Sequence, residues 1–83
     1  MTPEQRLLFD VARAFGGLSQ VADEDLGRAL AGHVRNQGWD PDAVEHHSEV
    51  LAALMSEEFQ DVPEARTASP ERIAAAARRS LDA

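Results

Sequence analysis

The sequence contains no cysteine. That absence excludes disulfide frameworks, thiolate metal sites such as zinc fingers, and thiol chemistry, and it fits a reducing compartment. It also contains no lysine, so all eight basic residues are arginine. No apolar run approaches the roughly 18 residues of a membrane span, and no basic segment followed by an apolar one opens the chain. A soluble, unexported, cytosolic protein with no membrane partner is therefore expected. Period-two alternation of apolar and polar residues is missing too, which argues against strands. Proline is scarce, and three of its four occurrences follow a residue that can cap a helix: Thr2-Pro3, Asp40-Pro41 and Ser69-Pro70. Each such pair marks a helix start, because proline at the first helical position loses nothing by lacking an N–H.

The most unusual absence is local. From Asn36 to Ala65 there is no arginine, while Asp40, Asp42, Glu45, Glu49, Glu57, Glu58, Asp61 and Glu64 place eight acids there. The net charge is −7 for the whole chain, so this stretch carries all of it and leaves the remainder near +1. Phosphate contacts need clustered basic side chains. The only such cluster, Arg72, Arg78 and Arg79, lies near the C-terminus, and nucleic acid is not expected as a partner.

What is present reads as helices. Eighty-three residues suffice for one domain burying about 60–65% of its unfolded surface. Thr2-Pro3-Glu4-Gln5 is a capping box, so a first helix runs over 3–15 to Gly16-Gly17, with Leu7, Leu8, Val11, Ala14 and Phe15 on its buried arc. Phe9 falls at the margin of that arc, as peripheral core or, alternatively, a partner contact. A second helix over 22–36 carries Leu26, Ala29, Leu30, His33 and Val34 on one stripe, with Asp23, Glu24 and Asp25 at its positive N-terminal end. Gly27 and Gly32 each weaken it by about 1 kcal/mol relative to Ala; a close helix crossing at Gly27 or Ala31 would explain them, and local mobility is the competing account. The third helix, over 41–59, has the densest apolar stripe, with Val44, His47, Val50, Leu51, Leu54, Met55 and Phe59 recurring at three- and four-residue steps. A loop over 60–68 precedes a fourth helix over 70–81, whose inward side, led by Ile73, Ala76 and Ala77, is mostly alanine and adds little apolar area.

Signals for chemistry are weak. Histidine is the only side-chain type here that titrates near neutrality without help. Glu45, His46, His47 and Glu49 offer mixed nitrogen and oxygen donors, but adjacent histidines point about 100° apart on a helix, unlike the i, i+4 pair of a zinc-binding H-E-x-x-H. Histidines hydrogen-bonded at the core boundary are expected, with no metal and no cofactor. No serine lies in a G-x-S-x-G context, and Gly16-Gly17 lacks the lysine and spacing of a phosphate loop. An enzyme is not expected.

Two stretches resemble known families. Leu51-Ala52-Ala53-Leu54-Met55-Ser56-Glu57-Glu58-Phe59, with Val62-Pro63-Glu64 and a final short helix, looks like the second half of an acyl or peptidyl carrier protein, also small, acidic and four-helical. The resemblance implies a carrier function, but the Asp-Ser-Leu attachment site is missing and Ser48 stands between His47 and Glu49. Ser69-Pro70-Glu71-Arg72-Ile73 and the acidic helical layout are similar to colicin-type nuclease immunity proteins, which implies an inhibitor of a basic partner. The tyrosine pair of that family has no counterpart here.

The sequence thus predicts an all-α, single-domain, four-helix bundle that binds a protein partner with a basic surface. Trp39, Asp42, Glu45, His46, Glu49 and Glu57 are the candidate contacts, with Trp39 as an aromatic anchor or, alternatively, a lid over the core between helices two and three. A carrier-like domain without the usual motif and a homodimer are the alternatives.

Overall fold

A computed structural model describes residues 1–59 and 68–83. Most of the loop expected over 60–68 lies outside the described residues. Four α-helices follow one another: α1 (Pro3–Phe15), α2 (Asp23–Gln37), α3 (Val44–Glu58) and α4 (Pro70–Asp82). No strand occurs among the described residues, and the expected all-α four-helix bundle is the observed fold.

Local chemistry sets the helix ends. Thr2 and Gln5 form the reciprocal capping box, with the Gln5 N–H donating to the Thr2 hydroxyl at 3.2 Å and the Thr2 N–H to the Gln5 side chain at 2.8 Å. Gly16 ends α1 at φ +71°, and Gly38 ends α2 at the same angle, a left-handed conformation that costs glycine little. At α2, two of the three leading acids make specific bonds. Asp25 accepts from the Ala22 N–H at 2.9 Å, and Asp23, which is buried, accepts from the Ser69 N–H at 3.3 Å. The α3 start differs slightly from expectation: Asp40 caps the Asp42 N–H at 2.9 Å, and Pro41–Ala43 form a 3₁₀ turn that leads into α3.

Nonlocal contacts fix the topology. Asp23 at the start of α2 meets Ser69 at the start of α4, and Arg35 near the end of α2 donates to the Ser80 carbonyl near the end of α4. These two helices therefore run in the same sense. Glu4 meets His47, so the beginnings of α1 and α3 are also adjacent. Asp10 approaches His33, and Glu45 near the start of α3 meets Arg78 near the end of α4. The order is up, down, up, down.

The closest packing is between α2 and α4. A Cβ added at Gly27 would overlap the Ala76 methyl and lie 2.7 Å from the Ile73 carbonyl oxygen and 2.9 Å from the Ala77 nitrogen. Gly27 thus marks the anticipated close crossing, whereas Gly32 has nothing within 4 Å and marks none. The alanines of α4 serve approach rather than area. Ile73, Ala74, Ala76 and Ala77 are all buried, and the helix is bound to α2 along its length.

Leu7, Leu26, Leu30, Leu51 and Ile73 fill the core, joined by Val21 and Val44. The expected core members Leu8, Val11, Val34 and Met55 are buried, while Val50 and Leu54 are half-buried. Phe15 is a correction. It is 47% exposed, because it is the last residue of α1, one turn beyond Val11, where the buried face of the helix ends.

Candidate interaction surface

The acidic face predicted on α3 is present. Helical spacing of about 100° per residue puts Glu45 on the flank of α3, about 100° from the core residues Val44, Leu51 and Met55, and Glu49 farther round, at about 140°; both are exposed. Asp42, on the 3₁₀ turn below them, and His46 are exposed as well. Among the described residues, only Glu45 of this group has an ion-pair partner. Arg78 of α4 grips it with both arms of its guanidinium, at 2.6 and 3.2 Å. That hydrogen bonding holds the Glu45 carboxyl below its ordinary range and pushes the Arg78 guanidinium up. The basic residue that the sequence around α3 lacks is supplied here from 33 positions away.

Trp39 does not face that surface. It is half-buried between two histidines, its ring centroid 5.0 Å from His33 and 4.7 Å from His47, and it packs against the core. The lid geometry is the one observed. The stack continues into buried polar contacts: His47 Nδ1–H donates to Glu4 Oε2 at 2.6 Å, with side chains only 15% and 10% exposed. Burial works to raise the Glu4 carboxyl. The hydrogen bond from His47, a backbone bond and the charges of His47 and His46 outweigh it, and hold the carboxyl below its ordinary value of 4.5. On the other side, His33 Nδ1–H donates to the Ala29 carbonyl at 2.9 Å, and its Nε2 lies 3.8 Å from Asp10. His33 and His47 are hydrogen-bonded at the core boundary, as expected, whereas His46 is exposed with its ring 5.9 Å from that of His47. Among the described residues, no three potential ligands gather to hold a metal ion.

Glu57 sits elsewhere again, near the far end of α3. Together with Glu58 it borders an open groove of about 420 Å³ whose apolar lining includes Leu8 and Phe9 of α1, Leu18 of the following loop and Leu54 of α3. Phe9 is 51% exposed beside it. The six candidate contacts therefore divide three ways. Asp42, Glu45, His46 and Glu49 occupy the outer side of α3, Trp39 its α1 side, and Glu57 the groove.

Comparison with protein-family models, curated proteins and solved structures finds no match for this chain. No described helix is long and apolar enough to cross a membrane. The carrier-like resemblance meets a local obstacle in Ser48, which is fully buried with its hydroxyl donating to the Val44 carbonyl at 2.8 Å. A hydroxyl so placed cannot be reached by a modifying enzyme while α3 stays packed.

Sequence reasoning missed Glu4, although a signal existed. Glu4 stands three and four residues before Leu7 and Leu8, on the buried arc of α1, where an acid needs a partner. Arg78 carried no such signal, because its contact depends on how α4 returns to α3.

Proposed function

We propose that the protein is a small acidic binding module that docks a basic surface of another protein. The observation that carries this reading is the segregation of charge after folding. Asp42 and Glu49 remain exposed and without an ion-pair partner among the described residues, although α4 brings an arginine to Glu45 beside them. A field of one sign speeds encounter with a basic partner and discriminates against acidic ones more than it deepens affinity. It acts against nucleic acid and anionic membranes as partners for the same reason.

Affinity capture from the native host, with purified candidate partners then titrated at low and high salt, tests the reading. Wild type is compared with the double variant Asp42→Arg, Glu49→Arg, which leaves the Glu45–Arg78 pair in place. The expected result is a partner rich in exposed Lys or Arg whose association slows with salt and with the variant. An unchanged, salt-insensitive partner set would mean that the acidic face is solvated and nothing more.

A further inference from the structure

The groove between α1 and the end of α3 has features that the outer acidic face lacks. Its floor is apolar, formed by Leu8, Phe9, Leu18 and Leu54, and its border carries the carboxylates of Glu57 and Glu58. Neither carboxylate has an ion-pair partner among the described residues. Phe9 lines this groove while half exposed, with the Arg13 guanidinium 6.0 Å from its ring centroid, on a helix whose opposite arc already supplies Leu7 and Val11 to the core.

We infer that this groove seats a basic amphipathic helix of a partner protein, with two or three apolar side chains on the floor and Lys or Arg against Glu57 and Glu58. The inference rests on the reading that the partner is basic, and it adds the place and form of the contact. From Gln5 to Ala12 the α1 wall is roughly 10 Å long at 1.5 Å per residue. That span matches apolar anchors at i, i+3 or i+4, and i+7 of a docked helix.

Charge selects this occupant over the others. A second copy meeting the groove about a two-fold axis would bring its own Glu57 and Glu58 to the same place, on a chain already at −7. An anionic lipid or fatty acid would set its charge against the same carboxylates. A basic helix meets both the apolar floor and the acidic border.

The test uses the full chain and a synthetic helical peptide of Leu and Lys, with Leu at helical spacing on one face. Its control has the same composition in an order that gives no apolar face. Titration followed by amide chemical shifts should show one-to-one binding of the first peptide, with shifts centred on Phe9, Leu54 and Glu57. Phe9→Glu, and the pair Glu57→Lys with Glu58→Lys, should each weaken binding by about tenfold or more. Both change exposed side chains, and circular dichroism verifies their folding. Asp42→Arg with Glu49→Arg should change binding by less than about threefold, as a rim charge acts mainly on rate. Equal binding of the control peptide, or stronger loss in the outer-face variant, would overturn the groove and leave the basic-partner reading standing. Absence of binding to either peptide would overturn the groove as well, and the basic-partner reading then stands or falls on its own capture and salt titration. A dimer in sedimentation that Phe9→Glu dissolves would make the groove an interface between copies and overturn the inference.

Discussion

The two parallel pairs of this bundle are built on different terms. Between α2 and α4, small residues let the backbones approach until a single methyl at Gly27 has no room, and the ends are tied by Asp23 to Ser69 and by Arg35 to Ser80. Between α1 and α3, Glu4 meets His47 at one end, and farther along a groove is left beside an exposed phenylalanine. The first pair has no surface to spare. The second holds an exposed apolar groove and, among the described residues, carboxylates without an ion-pair partner. A chain of this size has a modest stability margin, and here the close packing is concentrated in one half while the other retains surface for contact.

Substitutions at the two helical glycines give the largest contrast. Gly27→Val should cost about 3 kcal/mol or more, since the added atoms meet the backbone of α4, which cannot move aside as a flexible side chain would. Urea denaturation measures this, and a loss below about 1 kcal/mol would show that α4 is not held at that distance. Leu51→Ala, at a fully buried position of α3, should cost about 2–5 kcal/mol in the same assay. A near-neutral result there would deny α3 its share of the core.

Acid tests the Glu4–His47 contact of the α1–α3 pair. The folded-state pKa of Glu4 is lowered, so the unfolded chain binds its proton more tightly. The stability that Glu4 contributes is present above its ordinary value of 4.5 and is lost as pH falls through the lower folded value. The melting-temperature gap between wild type and Glu4→Gln should be widest above about pH 5 and close as acid is added. A gap unchanged on acidification would contradict the contact.

Smaller effects sharpen the comparison from the other direction. Gly32→Ala, with open space around the new methyl, should stabilise by about 0.5–1 kcal/mol, opposite in sign to any change at Gly27. Phe9→Ser should leave stability within about 0.5 kcal/mol, as the side chain is exposed. A large loss would make Phe9 part of the core and remove the free surface.

The sequence revealed what short-range chemistry decides. The pairs Thr2-Pro3, Asp40-Pro41 and Ser69-Pro70, and the glycines at 16 and 38, mark helix ends because capping acts within a turn. Gly27 announced a close crossing without naming the helix that crosses. Contacts that depend on topology were not legible: Glu4 finds His47 at a separation of 43 residues, and Glu45 finds Arg78 at 33. Trp39 could be read as anchor or lid, and only the relative placement of His33 and His47 makes it a lid. Phe9, at the margin of the buried arc, could be read as peripheral core or as a partner contact, and the groove beside it depends on how α1 and α3 are rotated against each other.

Amide hydrogen exchange with and without the Leu and Lys helical peptide measures both halves at once. The amides of Leu26, Leu30, Ile73 and Ala77 should exchange at the slowest rates in either condition, as expected where opening requires global unfolding. Those of Phe9, Ala12, Leu54 and Glu57 should exchange faster in the free protein and slow when the peptide is added. Slowing confined to α2 and α4, or no change anywhere on saturation with peptide, would contradict the division between a packed half and a binding half.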